Sequence, residues 1–188
     1  MVLTSSIVNI VTVEPDRFGE EMETRFRNRF VADSLAVSRV GGDAALVAGD
    51  FRIDPRGHTR FLVLCRPGID PTRLGRLLQR LLDLENYKSM AMLGLPVARD
   101  VAGKVVVLDR ELSDCVSGMA EGRGQESETL DRLLRISADI ESLSSASAFR
   151  FGAAQAYEAI VMQRIAVLRE TRERDWQMFG EFMMRRFD

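Results

Sequence analysis

Residues 35–65, LAVSRVGGDAALVAGDFRIDPRGHTRFLVLC, hold three apolar runs separated by two turn signals. Leu35 to Val40, Ala44 to Ile53 and Thr59 to Cys65 carry the apolar residues, with Gly41-Gly42-Asp43 and Asp54-Pro55-Arg56-Gly57 between them. Short apolar runs bounded by Gly, Asp and Pro read as strands joined by turns, so the stretch predicts an antiparallel meander. Upstream, Ser6 to Val13 alternates and is rich in Ile and Val, which predicts another strand. Glu14-Pro15-Asp16 ends it and opens a helix with proline near its first position. There Phe18, Met22, Phe26 and Phe30 recur every four residues, an apolar stripe suited to packing on a sheet. The order β-α-β-β-β implies an α+β fold: a small antiparallel sheet with one face covered by helix, expected as a head over residues 1–68.

From residue 69 onward the pattern is helical, with helices expected at about 71–94, 97–121, 126–143 and 149–187. Asp70-Pro71 supplies an N-cap and a first helical residue. Leu74, Leu77, Leu78, Leu81, Leu82 and Leu84 then fill a broad face. Pro96 is expected to kink or break the helix, because its ring excludes the carbonyl four residues back. Beyond it, Val101, Val105, Leu108, Leu112, Cys115 and Met119 fall at alternating spacings of four and three, a heptad seam that calls for partner helices. Gly122-Arg123-Gly124 and the serine-rich Ser142 to Ser147 read as turns. The expected arm is an antiparallel helical hairpin or bundle, ending in a helix too long for a small globular core.

The chain has 188 residues, 46% of them hydrophobic and 29% charged, with a net charge of −2. This length and balance suit one domain, or a small domain with a helical extension, and exclude a disordered tail or a disulfide miniprotein. Two isolated cysteines argue for a reducing compartment. Lysine occurs only at Lys88 and Lys104 among the 26 basic residues, an arginine bias more typical of a GC-rich genome than of a binding signal. Met1 to Val13 lacks the basic leader and cleavage site of a signal peptide. No stretch approaches the roughly 20 apolar residues of a spanning helix.

Each candidate for chemistry has a plainer alternative. His58, the sole histidine, sits in a turn and is expected to be exposed. Cys65 ends an apolar strand too far along from His58 for direct contact, and Cys115 belongs to the heptad seam as a small core residue. Asp50 and Asp54 flank a hairpin tip, while Asp83 and Glu85 point to different faces of a helix; all four are expected on the solvated surface. Gly41-Gly42 matches no phosphate loop or dinucleotide fingerprint. Arg73, Arg76 and Arg80 line one side of a helix, and Arg25, Arg27 and Arg29 crowd the end of another. With the overall −2 charge, these read as salt-bridged surface rather than a nucleic-acid site. No catalytic residue, cofactor or metal is expected. Trp176, Phe179, Phe182 and Met183, with Met178, Met184 and Phe187, form either core or an interface, and a homodimer through them is expected.

Two blocks of residues resemble a known family. The first comprises Asp50-Phe51-Arg52, Arg60-Phe61-Leu62-Val63-Leu64, Gly75 to Tyr87 and Met90 to Arg99. The second comprises Arg150 to Tyr157, Gln163 to Glu170, Gly180-Glu181-Phe182 and Arg185-Arg186. Together they resemble bacterial domain-of-unknown-function family 3422, whose members are described as predicted membrane-anchored proteins. The resemblance implies longer relatives that end in membrane-spanning helices. The present chain is then a soluble portion facing the cytoplasm at the inner face of the membrane. It carries over no activity or cofactor, and the family tends to have an acid where Cys65 stands. The leading expectation is a non-enzymatic portion whose helical arm serves for assembly or as a stalk. The alternative is a ligand- or ion-sensing domain coupled through its helices to a membrane segment, which an arginine-lined or acidic pocket between sheet and helix would favour.

Overall fold

The computed structural model describes residues 4–26, 29–122 and 126–187. The chain divides into two compact units, Met1–Met90 with Tyr157–Asp188, and Ala91–Ala156. The first unit therefore takes in the first long helix and the C-terminal segment as well as the sheet, whereas the sequence placed a boundary at residue 68.

The meander forms as expected from β2 (Ala36–Val40), β3 (Ala45–Gly49) and β4 (Thr59–Cys65). Its antiparallel registers set Val37 against Ala48 and Val47 against Val63. Gly41, Gly42 and Asp43 all have positive φ, which makes the tight β2–β3 turn. The sheet as a whole is mixed rather than antiparallel. β1 (Ser6–Thr12) runs parallel to β4, with Ser6 opposite Thr59 and Thr12 opposite Cys65. Parallel neighbours need a long connection, and the segment holding α1 (Phe18–Phe26) begins it. A short fifth strand, β5 (Thr171–Arg172), adds to the free edge of β2 and completes the order β1-β4-β3-β2-β5.

Both faces of this sheet are covered, not one. On one side Phe18, Met22 and Phe26 of α1 pack on Val37, Leu46, Leu62 and Leu64. On the other, Val47, Phe61 and Val63 meet Leu77, Leu81 and Leu84 of α2 (Pro71–Met92), Val161, Ile165 and Leu168 of α4 (Glu126–Leu168), and α5 (Phe179–Phe187). Strand β3 is buried at every position, which leaves it no solvent-facing side. Asp70 caps α2, accepting the backbone N–H groups of Thr72 and Arg73, each at 3.2 Å.

The two last expected helices are replaced by one long helix and a folded-back segment. Ser142 to Ser147 does not turn: α4 runs through it unbroken for 43 residues. The Ser147 hydroxyl donates to the carbonyl of Leu143 at 2.8 Å, so it is satisfied inside the helix instead of competing with it. The helix does stop at Leu168, where Arg169 adopts φ 49°. The return to the sheet is fixed by Glu170. Its carboxylate accepts the Ser38 hydroxyl at 2.8 Å and the N–H groups of Phe179 and Gly180 at 3.1 and 2.9 Å, which anchors the start of α5. Glu173 pairs with Arg39 beside it.

In the second unit, α3 (Leu95–Ala120) and the first part of α4 form the antiparallel hairpin. The break falls at Leu93-Gly94, with Pro96 in the first turn of α3, where its missing N–H costs nothing. A Cβ on Gly94 would lie 3.1 Å from the Ala154 Cβ, so glycine allows the helix start to approach α4 closely. Cys115 and Ile136 are buried between the helices. The expected break at Gly122-Arg123-Gly124 falls partly outside the described residues, since only Gly122, with φ 65°, is among them.

Because Phe179 is fully buried against Phe51, with ring centroids 5.3 Å apart, truncating it leaves a cavity in the first unit. Phe179→Ala should lower stability by about 3–5 kcal/mol, read as a fall in the urea midpoint with unchanged slope.

Candidate functional site

The C-terminal residues expected at an interface are largely core. Phe179, Phe182 and Met183 are buried in the first unit, with the Phe182 ring stacked on Phe51 at 4.7 Å. Trp176 is half-buried, edge-on to Phe26 at 6.1 Å on the α1 side of the sheet. The reason is the reversal at Glu170, which folds these side chains onto their own sheet.

The arginines of α2 do lie at the surface, Arg73 and Arg76 exposed and Arg80 half-buried, but they are not salt-bridged among the described residues. Arg73, Arg76 and Arg80 project from one side of the helix into a cavity of about 580 Å³. Arg169 and Val167 close it from the end of α4, and Gly41 from the β2–β3 turn. Arg73 donates to the Gly41 carbonyl, and Arg80 to the Val167 carbonyl at 3.1 Å. None of the four arginines pairs with a carboxylate among the described residues. By contrast Arg25 does pair with Glu21, at 2.6 Å. Arg27 lies outside the described residues.

Two carboxylates expected in solvent are buried. Asp50 ties the loop after β3, accepting the N–H groups of Val31 at 3.1 Å and Arg52 at 3.2 Å. Glu85 is paired with Lys88, whose Nζ donates to both carboxylate oxygens at 2.9 and 2.7 Å. The same Nζ sits 5.0 Å from the Phe51 ring centroid. Burial pushes the Glu85 carboxyl up and the Lys88 ammonium down, each opposed by the partner's charge. Asp83 remains partly exposed and meets Arg164 at 3.2 Å.

His58 is half-buried, and its Nδ1 lies 2.7 Å from the Ser5 hydroxyl. That contact follows from the parallel β1–β4 pairing and could not be read from spacing. Asp54 does not orient the imidazole: its carboxylate accepts the backbone N–H groups of Arg56 and His58, which holds it below the usual aspartate range. Cys65 is buried at the other end of β4, with Sγ 3.8 Å from the Thr12 hydroxyl. Among the described residues no three His, Cys, Asp or Glu side chains converge as metal ligands.

The hairpin offers an apolar surface of its own. At about 100° per residue, the exposed Val105, Leu112, Val116 and Met119 share one stripe of α3. It lies about a quarter-turn from the line of Leu108, Glu111 and Cys115 that faces α4. On α4, the exposed Leu130, Ile140 and Phe151 lie off the facing line of Arg132, Ile136 and Leu143 in the same rotational sense. In an antiparallel pair, equal rotation brings both stripes to one side. The expected seam is thus divided: Cys115 and Leu108 turn toward α4, while Val105, Leu112 and Met119 face outward.

The buried pair has a measurable pH signature. Lys88→Met strips Glu85 of its counter-charge and should cost about 3–5 kcal/mol near neutral pH. A carboxyl raised in the folded state contributes stability that is present below its unfolded value and lost as pH rises through its folded value. The deficit should therefore shrink as pH falls from neutral through Glu85's raised value and level off below 4.5, its ordinary value, and Glu85→Leu with Lys88→Met should recover most of it. Urea midpoints across pH check both.

No curated protein and no solved structure matches the chain. The family described as Protein of unknown function (DUF3422) matches residues 3–188, nearly the full length and including both blocks of resemblance. The chain belongs to that family.

Proposed function

We propose that this chain is a non-enzymatic assembly module whose helical hairpin pairs with the hairpin of a second copy. The observation that carries the reading is the apolar side shared by Val105, Leu112, Val116 and Met119 on α3 and by Leu130, Ile140 and Phe151 on α4. A 26-residue helix is about 39 Å long, and two helices side by side are roughly 20 Å across, counting about 10 Å for each. The whole side covers about 800 Å², the area per partner of a standard specific interface, and the apolar stripe from Val105 to Met119 takes up about 21 Å of its length. A two-fold dimer lets one surface serve as its own complement.

In this reading the assembly stands at the cytoplasmic face of a membrane, a placement supported by the resemblance to predicted membrane-anchored proteins. Among the described residues no helix is long and apolar enough to cross a bilayer, so attachment would come from elsewhere. A ligand-sensing role is the second reading, favoured by the arginine-lined cavity.

Sedimentation velocity at tens of micromolar should show a dimer. Leu112→Glu with Ile140→Glu should give a monomer of unchanged helicity, whereas Val106→Glu, on the other side of α3, should remain dimeric. A monomeric wild-type chain, or a dimer indifferent to the double substitution, would overturn the assembly reading.

A further inference from the structure

We infer that the cavity between α2, the end of α4 and the β2–β3 turn binds a small soluble anion carrying two or more phosphoryl groups. This deepens the ligand-sensing reading and rests on it. Four guanidinium groups, from Arg73, Arg76, Arg80 and Arg169, border one space of about 580 Å³, within the usual size of small-molecule sites. Like charges gathered around a cavity repel one another, and here no carboxylate among the described residues pairs with them. Asp83, the nearest acid on the same helix after Arg80, is engaged by Arg164 at 3.2 Å.

The partners that Arg73 and Arg80 do have are backbone carbonyls, of Gly41 and Val167. A carbonyl orients a guanidinium without cancelling its charge. Each arginine has five N–H donors, so both keep most of their donors for a ligand. Arg169 occupies the left-handed residue that ends α4, at φ 49°, a position where helices favour glycine. The unusual backbone brings a fourth cation to the cavity wall.

The spacing sets the class of ligand. From Arg73 to Arg80 is two helical turns, about 10 Å along the axis. One phosphate can reach only part of that row, and two or three linked phosphoryl groups can follow it. The planar fork of arginine matches two oxygens of each group.

Inorganic tripolyphosphate is the probe, titrated by calorimetry into the full chain at low salt, with citrate and phosphatidylglycerol vesicles as comparison arms. Tripolyphosphate should bind and weaken as salt rises. Arg76→Gln with Arg169→Gln should weaken it at least tenfold. Arg56→Gln with Arg99→Gln, the same charge change at exposed positions, should leave affinity within twofold. Thermal unfolding of each variant confirms its fold, and Arg76→Gln alone serves if the pair is unstable. Citrate binding as tightly as tripolyphosphate would overturn the phosphoryl class and leave ligand sensing standing. Vesicle binding without tripolyphosphate binding would overturn the soluble source, and no binding of any anion would remove both this inference and the ligand-sensing reading. Equal loss in the two double variants would reduce the effect to general charge.

Discussion

The central strands of the sheet are apolar on both faces, and most of the first unit follows from that. Leu46 and Leu62 point to one side and Val47, Phe61 and Val63 to the other, all almost without solvent contact. A sheet with one apolar face needs one helical layer; this one needs two. The short α1 covers the first side. The second requires α2, the end of α4 and α5 together, which draws residues from distant parts of the chain onto a sheet whose first four strands end at residue 65.

Such an arrangement depends on a small polar knot. Where α4 ends, the chain must leave a helix, add an edge strand and start another helix within about ten residues, with no glycine or proline in 169–178. Glu170 makes this possible by accepting three hydrogen bonds, one from β2 and two from the first turn of α5. A carboxylate at a helix start meets both unsatisfied N–H groups and the positive end of the helix dipole. The charged bonds offset the left-handed backbone at Arg169 and Arg174.

The meander, α1, the cap at Asp70 and the break before Pro96 were legible because local residues determine them: turn glycines, a four-residue stripe, an Asp-Pro pair. The continuous apolar run Phe61 to Leu64 also carried the signal for a second covering layer, since a one-sided strand alternates. What could not be read depends on contacts between distant residues. Arg169 to Arg174 is strongly polar and helix-compatible, and only Ser38 and Arg39 on β2 turn Glu170 and Glu173 into anchors. Glu85 looked like a surface acid because its partner is visible in sequence but its burial is not. The arginine row of α2 is plain in the sequence, yet the cavity beside it exists only once α4 ends there.

The first unit is discontinuous, built from Met1–Met90 and Tyr157–Asp188, with Ala91–Ala156 between them. Tyr87 and Tyr157 stack at 6.1 Å where the chain leaves and returns. During synthesis the first four strands are therefore made long before the second face can be fully covered, and an edge of β2 and a row of apolar side chains stay open while roughly a hundred more residues are made, several seconds at ordinary ribosomal rates. The hairpin contacts are local by comparison and can form first. Once closed, they hold the two ends of the insertion near each other and reduce the entropy lost in bringing residues 157–187 back to the sheet. The order of events implied is sheet, hairpin, then second layer, so residues 157–187 shield strands that are made well before them.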